Sequence, residues 1–194
     1  MHCTRVLYKV ATSRIYHYDL SIHGALFLSS TPLSRRASIT AYRDPNFLRI
    51  FYARLRRNEE NEELRKEGFE WVSHCAGEAN FLRPAKDGTA IVFDDLVGGD
   101  LTYGAGSLST QFSPSSLRAS LHTGYLFHPS PIPRRSTATS PYGPYSLLRS
   151  ALVLDHFAGS LELDEKSGGT YEYEGERYEI GTLKDDDVWW RKDY

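Results

Sequence analysis

Apolar and β-favouring residues fall in short clusters along most of the 194-residue chain, separated by Gly, Pro, Asp and Asn. Ile15, Tyr16 and Tyr18 run to His23-Gly24 and return through Ala25-Leu26-Phe27-Leu28, which predicts a hairpin over 14–28. Further strands are predicted at 37–42, 69–72, 81–82, 89–93, 101–103 and 108–112, and a helical turn or a little more over 114–119. Leu147 to Leu154 is apolar apart from Arg149 and Ser150, which suits a central strand, with Phe157 to Leu163 pairing near it. Tyr171-Glu172-Tyr173-Glu174 and Tyr178-Glu179-Ile180 alternate on either side of Gly175, the pattern of a half-buried antiparallel hairpin. Five prolines among small residues between Pro129 and Pro144 mark a loop.

One segment departs from this period. The Asp44 carboxylate can accept from a free N–H of a first helical turn, and Pro45 stands where a missing N–H costs nothing. The spacing predicts an amphipathic helix near residues 45–57. At about 100° per residue, Phe47, Leu48, Ile50, Phe51, Tyr52 and Leu55 share one arc, and Arg49 and Arg56 face away. Arg54 falls inside the arc, between Ile50 and Phe47. An unpaired charge there carries a heavy desolvation cost. Three readings stay open: an ion pair with Asp94 or Asp95, an anionic ligand, or a stem that snorkels past the last turn. Asn58 to Gly68 either extends this helix or forms a second short one, exposed, with Glu62 and Lys66 four apart.

Strands outnumber helices and no strand–helix–strand unit repeats, so the expected fold is α+β: a single compact domain with a largely antiparallel sheet and one principal helix. Residues 14–183 form this domain, including the Pro/Ser-rich loop 129–144. Residues 1–13 are an extension or a first strand, and 184–194 are a charged tail containing Trp189 and Trp190.

Thirteen Tyr and nine Phe supply a large core and argue against disorder. No run reaches the roughly 18 apolar residues of a membrane span. Cys3 and Cys75 are the only cysteines, too few for a disulfide framework or a zinc ribbon. The net charge is −2, yet residues 1–60 hold ten basic against four acidic residues, and residues 155–194 hold five against twelve. Such polarity orients a protein in an assembly or lets the two ends meet in one fold. The first eighteen residues contain Arg5, Lys9 and Arg14 but no carboxylate, which fits either the end of a mitochondrial targeting segment or a basic first strand.

Candidate chemistry is sparse. Asp94-Asp95 at a strand end can bind a hard cation, but capping a turn or salt-bridging explains them more simply. Gly104-Ala105-Gly106 lets backbone approach a phosphate, but Ser109 stands where a third glycine is required, and a tight turn explains the residues. His74-Cys75, His122, His128 and His156 show no metal-ligand spacing, and no serine-hydrolase elbow is present. Arg54, His74, Asp94 and His128 are the residues an enzyme pocket would draw on. Arg49, Arg56, Arg57, Trp189 and Trp190 are the expected interaction surface. No catalytic residue, metal ligand or cofactor is assigned.

The segment Arg14 to Leu28, Asp44-Pro45-Asn46-Phe47-Leu48 with Phe51 and Arg54-Leu55-Arg56, and Asn80-Phe81-Leu82-Arg83 resemble the eukaryotic uncharacterised protein family 0598, also called domain of unknown function 4505. Ile91-Val92-Phe93, Leu126-Phe127-His128-Pro129 and Leu148-Arg149-Ser150-Ala151-Leu152 resemble it in the same order. The resemblance implies mitochondrial localisation, as in animal members, and supplies no reaction, cofactor or catalytic residue. The Pro/Ser-rich stretch looks expanded and the acidic, Trp-containing end looks particular to this branch. The leading expectation is a noncatalytic mitochondrial interaction protein, an accessory subunit or assembly factor of a large complex such as the mitochondrial ribosome or a respiratory complex. The alternatives are a small-molecule enzyme of unknown reaction and a local RNA-binding module working through the basic helix.

Overall fold

The computed structural model describes residues 14–29, 40–75, 77–133, 139–164 and 166–184. They form an α+β domain built on two mixed, mostly antiparallel sheets. The first sheet uses β1 (Arg14–Leu20), β2 (Leu26–Leu28), β3 (Leu55–Arg57), β4 (Trp71–Cys75) and β5 (Glu78–Pro84), in the order β2-β1-β5-β4-β3. The helices α1 (Pro45–Ala53) and α2 (Glu62–Lys66) fall between its strands in sequence.

The second sheet takes β6 (Val92–Val97), β7 (Asp100–Tyr103), β8 (Leu108–Gln111), β9 (Arg118–Ala119), β10 (Leu126–Pro129), β11 (Tyr145–Leu148), β12 (Glu162–Asp164), β13 (Gly168–Tyr173) and β14 (Glu176–Thr182). Its order is β12-β13-β14-β9-β10-β11-β6-β7-β8, and α3 (Ser150–His156) packs on β6. Three pairings are parallel: β1 with β5, β6 with β11, and β9 with β14. One buried cluster runs through both sheets, from Tyr18 and Leu20 to Tyr171 and Ile180.

Local chemistry accounts for the turns. Gly98 and Gly99 join the paired ends Val97 and Asp100 with φ of 59° and 85°, the two left-handed residues that suit a tight hairpin between right-twisted strands. At Gly168 a Cβ would stand 2.0 Å from the Ile180 carbonyl oxygen, so β13 can lie against β14 there only without a side chain.

The predicted hairpins at 14–28 and 171–180 both form. The helix is shorter than the 45–57 its pattern predicts. Asp44 caps it, accepting from Asn46 N–H (2.8 Å) and Phe47 N–H (3.4 Å), but it ends at Ala53. Leu55–Arg57 leaves the helical path and pairs with β4, because Leu55 gains a buried place opposite Ser73. Leu48, Phe51 and Tyr52 are buried, whereas Ile50 is 44% exposed, so the apolar face is narrower than the wheel implied. Leu147–Leu154 also divides: β11 stops at Leu148 and α3 begins at Ser150. Leu148 and Leu152 of this stretch are buried while Leu154 faces out; Leu152 and Leu154 would share a face in a strand, so the alternation is helical. Ala37 to Ile39 of the strand predicted at 37–42 lie outside the described residues; Tyr42 makes a single bridge to Leu26.

The carbonyls at the end of α1 are buried. Ser73 O–H donates to Phe51 O (2.7 Å), and Tyr142 O–H donates to Tyr52 O (2.7 Å). Tyr142→Phe removes only that hydroxyl and should cost about 1–3 kcal/mol, because the buried carbonyl loses its side-chain donor and keeps only a share of the Arg54 N–H. Asp44→Ala, which exposes cap N–H groups to water, should cost about 1 kcal/mol. Urea denaturation of both variants checks the ranking; a Tyr142→Phe domain as stable as the parent would contradict it.

Candidate functional site

Arg54 sits at the C-cap of α1 with φ −113° and ψ 0°, already off the helical spiral. Its side chain is therefore exposed rather than inside the apolar arc, and its Nη1–H donates to the His74 carbonyl oxygen (3.0 Å). The ion pair with Asp94 or Asp95 does not form. His74 turns its ring outward, with Nε2 2.7 Å from Glu60 Oε1, and its neighbour Cys75 is buried with Sγ 3.2 Å from Ser73 Oγ.

Asp94 staples the turn that follows it. It accepts from Thr102 O–H and from Gly106 N–H (3.1 Å). Gly104-Ala105-Gly106 is accordingly a left-handed turn between β7 and β8, with φ of 63°, 55° and 75°. Asp95 accepts from Leu96 N–H (2.8 Å) and lies 3.2 Å from His156 Nε2; these contacts hold its carboxyl below the usual range.

His128 is buried between Phe93 and Phe112. Ser113 N–H donates to its Nε2 (3.0 Å), so Nε2 carries the lone pair and Nδ1–H donates to Pro129 O (3.0 Å). Of the four residues named for an enzyme pocket, Arg54 and His74 touch, while Asp94 and His128 have separate surroundings.

The basic residues also part company. Arg49 bonds Asn46 Oδ1 (3.0 Å) and Arg56 pairs with Glu60 (3.2 Å), both on the surface. Arg57 pairs with Glu70 and lies over the Trp71 ring at 5.4 Å, which withdraws it from that surface. Trp189 and Trp190 lie outside the described residues. Among the described residues, no group of three or more His, Cys, Asp or Glu is placed to hold a metal ion.

Among the described residues, clefts open at two places that bear on function. The larger, about 610 Å³, is lined by Trp71, Arg83, Lys86, Asp87, Thr89 and His122, with Glu67 and Glu70 at one side. Much of its charge is committed to the fold. Arg83 Nε–H donates to Asp19 (2.7 Å), its guanidinium lies 4.6 Å from the Phe69 ring centre, and Glu70 holds Arg57.

The smaller cleft, about 420 Å³, lies where β1–β2, α1, the β7–β8 turn and the start of α3 converge. Its wall includes Leu26, Tyr42, Arg43, Leu48, Asp94 and Arg149. Arg149 is fixed at the strand-to-helix junction because its backbone N–H donates to Phe93 O (3.0 Å). Its Nε is closed off from solvent and has no acceptor. A guanidinium donor in that state has lost water without gaining a partner. The sequence carries a signal for it, a lone charge inside the apolar run 147–154, but a strand over that run gives Arg149 no distinct place.

Residues 9–184 match the family described as Domain of unknown function (DUF4505). The chain belongs to that family. No solved structure matches it. The matched span takes in both clefts and Arg54, His74, Asp94 and His128, whereas Trp189 and Trp190 fall beyond it. In this member of the family, then, the described residues include both of these clefts and the buried imidazole of His128.

Burial drives the His128 pKa down to about 4 from an ordinary 6.5, against a smaller raising effect of the Pro129 carbonyl. A proton on Nε2 would also face the Ser113 N–H. The unfolded chain takes up that proton near pH 6.5 and the folded one near 4. Stability is therefore full above pH 6.5 and falls on acidification through that window, by about 3 kcal/mol in total. His17, lowered by burial between Phe69 and Phe81, acts in the same direction. In urea denaturation at pH 7 and pH 4.5, His128→Gln should start less stable and show a shallower acid dependence than the parent. Parallel loss in the two proteins would refute the assignment.

Proposed function

We propose that the protein acts by binding, as a noncatalytic mitochondrial interaction protein: an accessory subunit or assembly factor of a large complex such as the mitochondrial ribosome or a respiratory complex. The supporting observation is that His74, Asp94 and His128 are each committed to internal partners, and that only Arg54 and His74 of the pocket candidates adjoin. A general base or nucleophile must reach a substrate atom and be activated by a neighbour, and these side chains are instead occupied as fasteners. The carboxylate-free stretch before Asp19 supports the organelle.

The exposed outer side of α1 and β3 carries Arg49, Ile50, Arg54 and Arg56, a basic surface around one apolar side chain. Docking of a partner there is favoured over RNA, because Arg57 is withdrawn by Glu70 and the remaining surface arginines have no stacking ring among them.

Affinity purification of the tagged protein from mitochondria, followed by size-exclusion chromatography, should yield a larger species. Arg49→Glu with Arg56→Glu should reduce retention of its partner severalfold while leaving thermal stability within about 1 kcal/mol, since both pairs are at the surface. A monomer with no retained partner sinks the proposal. Crosslinking to ribosomal RNA through this surface would replace it with the RNA reading.

A further inference from the structure

The cleft between α1 and the β7–β8 turn is positively charged. Arg43 stands exposed at its mouth and Arg149 half-buried in its wall. Neither guanidinium has a hydrogen-bond or ion-pair partner among the described residues, and Arg149 Nε is also sealed from water. Nearly every other arginine that meets the core is matched, Arg83 by Asp19 and Arg57 by Glu70. Asp94 shares the cleft but is taken by Thr102 and Gly106, and Asp95, whose field Arg149 feels, gives its Oδ1 to Leu96 and His156. Burying part of an unmatched guanidinium is costly, and an oxyanion in the cleft offsets that cost by pairing with the Nη edge, which is not sealed as Nε is.

We propose that this cleft is a recognition site for the carboxylate of a small organic acid with an apolar body. The charge balance selects the anion. Among the lining residues, Arg43 and Arg149 against Asp94 leave one net positive charge, Asp95 lying outside the lining and against His156; a monocarboxylate neutralises that charge and a phosphate dianion overshoots it beside the Asp94 carboxylate. The fork of Arg149 suits the two oxygens of a carboxylate. The half-open Tyr42 ring with the partly open Ala25 and Ala41 offers the apolar contact, backed by the buried Leu26 and Leu48, and about 420 Å³ lies within the usual range for small-ligand sites. The left-handed turn at Gly104-Ala105 forms the floor opposite α1, held by Asp94. This site is separate from the docking side of α1 and stands whether or not that docking occurs.

Isothermal titration calorimetry of the full chain with hexanoate, benzoate and inorganic phosphate tests it. One equivalent of at least one of the two carboxylates should bind, more tightly than phosphate. Arg149→Gln should weaken that binding tenfold or more and Arg43→Gln severalfold, with Arg177→Gln, on the distant β13–β14 hairpin, unchanged. Arg43 is exposed, so its variant folds independently of the outcome and keeps the test decisive if Arg149→Gln is unstable. No binding of either acid, tighter binding of phosphate, or full affinity in Arg43→Gln would each overturn the proposal.

Discussion

The last turn of α1 carries two buried carbonyls that share only the Arg54 N–H of the helix end, and side chains from both sheets complete their bonding. Ser73 reaches Phe51 O from the first sheet, and Tyr142 reaches Tyr52 O from the segment leading into β11 of the second. The same two residues supply the rings that join the layers. Tyr18 meets Phe51 at 5.7 Å, Tyr52 meets Tyr103 at 5.9 Å, and Tyr103 meets Phe93 at 6.1 Å. Helix end and aromatic chain thus fix each other: the rings exclude water from the carbonyls, and the hydroxyl bonds set where the rings stand. Desolvation pushes the Tyr103 hydroxyl up to about 12 and raises Tyr52 and Tyr142 as well, so these groups stay neutral donors.

Charges mostly serve as fasteners at the edges of this core. Arg83 with Asp19 crosses from β5 to β1, and Arg57 with Glu70 closes the segment around α2. Being partly exposed, such pairs add modest stability and chiefly fix register. Their regularity is what gives Arg149 its meaning. Where a fold matches its other half-buried cations, a guanidinium left without a partner at a cleft wall still has its Nη edge to offer a ligand.

The pattern of apolar positions was sufficient for the elements whose information is local. The Asp44-Pro45 start, the 14–28 hairpin, the 171–180 hairpin and the turn at Gly104–Gly106 were all legible, because a cap, a turn glycine or an alternation acts over a few residues. The α+β class followed from their number and order. The end of α1 was not legible: Arg54 and Leu55 suit a helix locally, and only the pairing of Leu55 with Ser73 draws the chain into β3. Likewise Leu147–Leu154 is apolar enough for either state, and packing of α3 on β6 divided it.

Side-chain chemistry was less legible than the backbone. The sequence by itself determined family membership, the position of the principal helix and the supply of aromatic rings. Tertiary structure alone decided that Arg54 faces solvent, that Arg57 is neutralised, that His128 is a buried neutral hinge between Ser113 and Pro129, and that Arg43 and Arg149 share one cleft. The reason is physical. Helices and turns are set by neighbours in the chain, whereas the partner of a charge can lie far along it, as Asp19 lies 64 positions from Arg83, brought close only by the folding of the strands on their shared core.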